Sequence, residues 1–180
     1  MVPIVQKGEP VLRQIAHDVP IADIGSKKIQ DIIKKMKKAV SEQDDAVAVA
    51  APQIGQSLRI FVVSGKVFAK DYPEVPISDP VPSALVCINP EITKLSRTKK
   101  KVPEGCLSVR WLYGDVLRST KATVKAYDEH GQLFTRGGSG LLAQIFQHEV
   151  DHLNGILFVD KAENVEDIPP EKQRQLNEKI

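Results

Sequence analysis

The sequence is poor in what would tie it to an oxidising compartment or a bilayer. Its 180 residues include two cysteines, Cys87 and Cys106. That is too few for the disulfide framework of a small secreted domain, so both are expected to be reduced thiols. No apolar run approaches the roughly 20 residues of a membrane span. The opening MVPIVQKGEPVLRQIAHD puts charge and prolines where a signal peptide carries its apolar stretch, and it lacks the Arg- and Ser-rich character of a transit peptide. A formal net charge of +2 neither demands nor excludes a polyanionic partner. The resulting expectation is a soluble, cytoplasmic protein without a DNA or membrane partner. The length suits one domain, read as residues 1–160, followed by a polar tail over 161–180.

What the chain does contain is clear periodicity. Ser26 is a suitable N-cap for SKKIQDIIKKMKKAVSEQ, where Ile29, Ile32, Ile33, Met36 and Val40 fall on one helical face. The other face carries Lys27, Lys28, Lys34, Lys35, Lys37 and Lys38. Such a face is either simply solvated or a contact for ribosomal RNA. LRIFVV (58–63) and ALVCIN (84–89) read as strands. Between them a stretch with Pro73, Pro76, Pro80 and Pro82 reads as a long surface loop. A basic run, Arg97 to Lys101, reads as a strand edge or turn. KATVKAYD and LFTR flank Gly131 as a hairpin. GSGLLAQIFQHEVDHLNG gives a second helix, capped by Ser139 and ended by Asn154-Gly155, and PPEKQRQLNEKI a short C-terminal one. The pattern indicates an α+β fold, with short antiparallel or mixed sheets packed around a central buried helix.

That second helix carries His148-Glu149-x-x-His152. Positions i and i+4 lie on one helical face about 5–6 Å apart, so both imidazoles can face one metal ion. Glu149, rotated by about 100°, can reach a water there without ligating the ion. Two histidines do not complete a site. The downstream position that a third histidine would need is Phe158, and Glu163, Glu166, Glu171 and Glu178 sit in the polar tail. His17 and His130 fall in a loop and a turn. Upstream, Cys106 in VPEGCLSVR is a candidate thiolate ligand; taken alone it reads better as a small buried hydrophobe, the reading given to Cys87.

Three segments taken together change this. AVAVAAPQIG (46–55), EGCLS (104–108) and QHEVDHLNG (147–155) resemble, in order and spacing, the three motifs of the peptide deformylases. KGEPVLRQIA and INPEI (88–92) also look like family segments, so the resemblance runs from about residue 3 to residue 160. It implies a metal-dependent hydrolase that removes the N-formyl group from the initiator methionine of nascent bacterial polypeptides and releases formate. By motif position Cys106, His148 and His152 would hold one divalent ion, with Fe²⁺ expected in vivo and Zn²⁺, Ni²⁺ or Co²⁺ as alternatives. Glu149 would be the proton acceptor and donor, and Gln53 and the Leu107 backbone N–H would stabilise the oxyanion. Val47, Ala48 and Gly105 would border the substrate, with Glu104 and Gln147 orienting the ligands. N-formyl-methionyl peptides are the expected partners, and the ribosome a further one.

The sequence departs from the family pattern in two places. Ala46 and Ala48 stand where the first motif usually has glycine, which is either mild or costly depending on the backbone angle there. Arg110 stands where proline is common, and it is expected to alter the loop VRWLYGDV (109–116), with Trp111 and Tyr113 as substrate contacts. Two rival readings remain open at this point: a metalloamidase or peptidase of other specificity, and an inactive ribosome-binding module derived from the family.

Overall fold

The computed structural model describes residues 1–43, 45–69 and 84–171. Most of the proline-rich stretch (70–83) and of the C-terminal helix (172–180) therefore lies outside the described residues. Strands β1 (Ala48–Ala50), β2 (Ile60–Ser64), β3 (Ala84–Leu95), β6 (Lys121–Tyr127) and β7 (Leu133–Ser139) form one sheet in the order β1-β2-β3-β6-β7. Strands β4 (Lys99–Gly105), β5 (Leu112–Ser119) and β8 (Glu163–Asp167) form a smaller one in the order β4-β5-β8. Neighbouring strands run antiparallel throughout both sheets. With the helices α1 (Lys27–Ser41) and α2 (Gly140–Leu153), this is a mixed α+β architecture.

The two helices explain why β2 is apolar at consecutive positions instead of alternating. Its Phe61 and Val63 point into a cluster with Phe146, Leu142 and Ala143 of α2. Its Ile60 and Val62 point the other way, against Ile29, Ile32, Ile33 and Met36 of α1. Successive side chains of a strand leave on opposite faces, so a helix on each face makes every position a core position. At the start of α1 the Ser26 hydroxyl accepts from Ile29 N at 3.4 Å, as its cap role requires. Its lysine face is partly neutralised, because Lys27, Lys37 and Lys38 pair with Asp31, Glu129 and Glu42.

Three local expectations change. Ser139 precedes α2 but its side chain makes no capping bond. The segment 109–116 is a loop only as far as Trp111, because β5 begins at Leu112 and pairs with β4 along its length. Within the stretch read as a polar tail, residues 163–167 form β8, whose Leu112↔Asp167 and Tyr113↔Glu166 pairs add an edge to the small sheet.

The N-terminal segment is fastened to the far end of α2. Ala16 N donates to Leu153 O at 2.9 Å, and Arg13 reaches Asp160 with Nη2 at 3.1 Å from Oδ1. Gly155 ends the helix at φ 73, and a Cβ there would lie 2.7 Å from the Arg13 carbonyl oxygen. Gly131 has a similar φ of 77 but faces open space. Gly131→Ala should therefore cost only the left-handed strain of roughly 1–2 kcal/mol. Gly155→Ala should cost at least about 1 kcal/mol more through the added clash. Urea unfolding of the two variants measures the difference, and equal losses would refute the contact. The hydrogen bond from Arg13 holds the Asp160 carboxyl below its usual value of 3.8. A carboxyl depressed in the fold stabilises above the unfolded value and loses that contribution as pH falls through the folded one. Asp160→Asn should thus lower Tm at pH 7, with the gap to wild type closing progressively below pH 3.8.

Candidate metal centre and substrate cleft

Cys106 follows the last residue of β4, and its approach depends on the glycine before it. A Cβ on Gly105 would stand 2.6 Å from Cε1 of Tyr113, its partner on β5, so only glycine lets the ring lie against this backbone. From the other side α2 presents His148 and His152 with ring centroids 4.9 Å apart at 75°. Cys106 Sγ lies 3.2 Å from His152 Nε2. The ligand atoms of Cys106, His148 and His152 all lie within 4.8 Å of one another, the span of a group able to hold a metal ion. Burial, reinforced by the neighbouring His148, keeps the His152 imidazole well below its usual pKa, so its ring nitrogen has a lone pair to offer.

A chain of charges fixes His148 behind this trio. Glu104 Oε2 lies 2.8 Å from His148 Nδ1. An ionised carboxylate only accepts, so Nδ1 donates its proton to Glu104 and Nε2 is the ring nitrogen that remains for a metal. Arg118 of β5 donates to both oxygens of Glu104, at 2.7 and 3.0 Å, and to Asp151 of α2 at 2.6 Å. Lys161 closes the chain on Asp151 at 2.7 and 2.8 Å. Burial alone would raise the Glu104 carboxyl, but hydrogen bonds from His148 and Arg118 outweigh it and lower it to about 2. Sequence reasoning named Glu104 but missed Arg118, Asp151 and Lys161. One signal was available: the inward-facing positions of β5, Val116 among them, include Arg118, and a buried arginine requires an anionic partner. Gln147 serves another purpose than touching a ligand. Its amide bonds Ser119 N and O and Ala143 O, which pins α2 to β5.

A cleft of about 250 Å³ opens onto the trio, lined among others by Val47, Ala48, Gln53, Gly105, Cys106, Leu107, His148 and Glu149. All the sequence-derived site residues except His152 and Gln147 thus line one hollow. Gln53 is oriented by its neighbours: Ala50 N donates to its Oε1 at 2.8 Å, so the amide NH₂ points at Cys106 Sγ and Ser108 Oγ, both 3.3 Å away. Glu149 is buried at the cleft, and its Oε2 finds no hydrogen-bond partner among the described residues. With protein alone around it, burial pushes this carboxyl up to about 7, with Glu104 adding to the rise and His148 opposing it. Neither Ala46 nor Ala48 has a positive φ, so alanine sits there without backbone strain.

The family profile described as polypeptide deformylase matches residues 1–167. The chain belongs to the peptide deformylase family. It is 40% identical over 162 residues to the peptide deformylase of Carboxydothermus hydrogenoformans, covering 90% of this chain and 93% of the relative. A class I type b peptide deformylase of Acinetobacter baumannii, solved with Met-Ala-Ser bound, superposes with a TM-score of 0.78 at 35% identity, covering 89% of this chain and 98% of that one. The enzyme from Thermotoga maritima superposes with a TM-score of 0.75 at 30% identity, covering 91% and 98%. Peptide deformylases remove the N-formyl group of nascent peptides and depend on a metal, and the Cys106, His148 and His152 group is a fitting place for one.

In this deformylase, Arg118→Met should be far more damaging than an ordinary surface change. It would leave Glu104 buried against His148 alone and remove one partner of Asp151. Breaking one member out of a buried ionic set costs about 3–5 kcal/mol. Urea titration should show a loss of that order, and adding Glu104→Gln should recover part of it. A double variant no more stable than the single one would contradict the uncompensated-charge account.

Proposed function

We propose that this protein removes the N-formyl group from the initiator methionine of nascent polypeptides and releases formate. The observation that carries the reading is a Cys-His-His donor set, two of whose members (Cys106 and His148) line one cleft together with a buried carboxylate, Glu149, whose Oε2 is unengaged among the described residues. Thiolate and two imidazoles suit Fe²⁺, Zn²⁺, Ni²⁺ or Co²⁺, and we take Fe²⁺ as the resident ion. Cys106, His148 and His152 would hold it, with His148 Nε2 freed for the purpose by the Glu104 bond. When bound, such an ion supplies Lewis acidity that sharpens a water and polarises the formyl carbonyl.

The remaining steps belong to side chains of this chain. Glu149 would take the proton of the attacking water on a carboxylate oxygen and later hand it to the leaving amine nitrogen. Burial favours the protonated carboxyl, which suits the donor half of that cycle, and a neighbouring cation would favour the ionised base. Gln53 Nε2–H and the Leu107 backbone N–H would meet the oxyanion; fixed donors of this kind contribute roughly 3–4 kcal/mol to a transition state. α2 is the central scaffold, bringing His148, Glu149 and His152 to one place. β1 and β4 are edge strands of their own sheets, so a peptide could add between them as an extended strand bordered by Val47, Ala48 and Gly105. Met-Ala-Ser in the Acinetobacter relative fits the same class of ligand.

Residues 1–160 would carry catalysis and 161–180 the tail, which contributes β8 and Lys161. The compartment consistent with reduced thiols and nascent substrates is the bacterial cytoplasm. Among the described residues no helix is long and apolar enough to cross a membrane. Ribosome contact would fall to the lysine face of α1, where Lys27, Lys37 and Lys38 are already paired with Asp31, Glu129 and Glu42.

The test is formate release from N-formyl-Met-Ala-Ser by Fe²⁺- or Ni²⁺-loaded protein, against the N-acetyl peptide. Rapid release from the formyl peptide alone is expected. Glu149→Ala should bind metal yet lose turnover by about 10²–10⁴-fold, the usual weight of a positioned acid–base group. Cleavage of internal peptide bonds only, or full activity in that variant, would overturn the assignment.

A further inference from the structure

We propose that the Arg110–Asp45 ion pair is a strap across the mouth of the cleft that fixes its width, and so sets how tightly the substrate is held beyond its first residue. The inference rests on the deformylase reading and deepens it. The two walls belong to different sheets: Ala46, Val47 and Ala48 lead into β1, and Gly105 to Trp111 join β4 to β5. A guest strand pairing with both edges needs two interstrand spacings of about 4.8 Å each, so wall separation controls whether both rows of bonds can form.

Two sets of side-chain bonds cross between these walls. At the buried floor, Gln53 reaches Cys106 and Ser108. At the mouth, Arg110 Nη2 donates to Gln43 Oε1 at 3.1 Å and to Asp45 Oδ1 at 3.3 Å, while Nη1 donates to Asp45 Oδ2. The Arg110 guanidinium also lies 4.6 Å from the centre of the Trp111 ring. That stacking holds a long side chain in place before it pairs, which reduces the ordering cost that usually weakens surface ion pairs. Arg110 is 22% exposed and Asp45 54%, so the strap stands at the solvent end of the cleft and salt can screen it. A proline at 110, as the family pattern has, could supply none of these bonds.

Neither residue belongs to the donor set or touches Glu149, so the strap should act on KM and leave the chemical step to the floor of the cleft. The experiment compares N-formyl-Met-Ala-Ser with N-formyl-methioninamide, which has nothing beyond its first residue, in metal-loaded wild type, Arg110→Gln, Asp45→Asn and the double variant. For the tripeptide, KM should rise about two- to fivefold in each single variant, the scale of one well-ordered surface ion pair. The double variant should rise no further, and kcat should stay within about twofold. For the amide, KM should not move. Raising salt from low to high should increase the wild-type tripeptide KM and leave the variants' values where they are. An unchanged tripeptide KM, equal shifts with both substrates, or additive rises in the double variant would overturn the strap. Absence of formate release from wild type would instead overturn the deformylase reading itself.

Discussion

Glu104 is a single carboxylate shared between two structural units, and the site depends on that sharing. The small sheet packs around its own cluster of Leu12, Val109, Val116, Leu157 and Phe158, while α2 packs into the core of the larger sheet. Nothing in two separate apolar clusters requires them to meet in one register. Glu104 supplies the requirement by accepting from His148 on α2 and from Arg118 on β5. Arg118 in turn reaches Asp151, again on α2, and Lys161 balances Asp151. Glu104, Arg118 and Asp151 are thus buried in sequence, with the exposed Lys161 closing the chain, and each is paired, which is the condition under which desolvation is offset. Cys106 stands two residues after Glu104, so the bond that orients His148 also sets where the thiol lies relative to both imidazoles.

The same economy governs the polar groups that face the cleft. Gln53 could present either end of its amide, and the Ala50 backbone N–H decides: it consumes the carbonyl end and leaves the donor end toward Cys106. His148 is settled in the same way by an acceptor that cannot donate. Glu149 differs from these, since it has been brought into a buried position with one oxygen unengaged among the described residues. A stability argument gives no reason for that arrangement, because an unpartnered buried carboxyl costs free energy. A reaction that needs a proton acceptor at that point does give one.

Much of this was legible in the chain. The period of 3.6 residues announced both helices, and the i,i+4 histidines could be placed on one face without coordinates. Cys106 was a candidate ligand from its own segment, but only the resemblance of EGCLS favoured that over a small buried hydrophobe, because a lone cysteine among apolar residues has no spacing signature. The ionic chain was illegible for a different reason. Its members come from β4, β5, α2 and the turn after it, and a single strand reveals only that Arg118 faces inward. β8 was missed because its five residues are all exposed and mostly acidic, and its pairing with β5 is made by the backbone. Gln147 lies beside a ligand in sequence and points away from it in space, since adjacent helical positions are about 100° apart.

The alanines of the first motif can now be weighed on geometry. Replacing glycine is costly where φ is positive, and neither Ala46 nor Ala48 is in that region. What remains is whether the methyl group obstructs a guest strand. Ala48 belongs to β1, and its side chain joins the cluster containing Phe61 and Phe146, on the α2 face of the sheet. Side chains leave a strand perpendicular to the sheet, whereas a pairing strand approaches within its plane. The methyl therefore narrows the cleft toward the helix without covering the backbone groups of β1 that a peptide would use. For a peptide added along this edge, the spacing between β1 and β4, spanned by the contact of Gln53 with Cys106, would matter more than the two alanines.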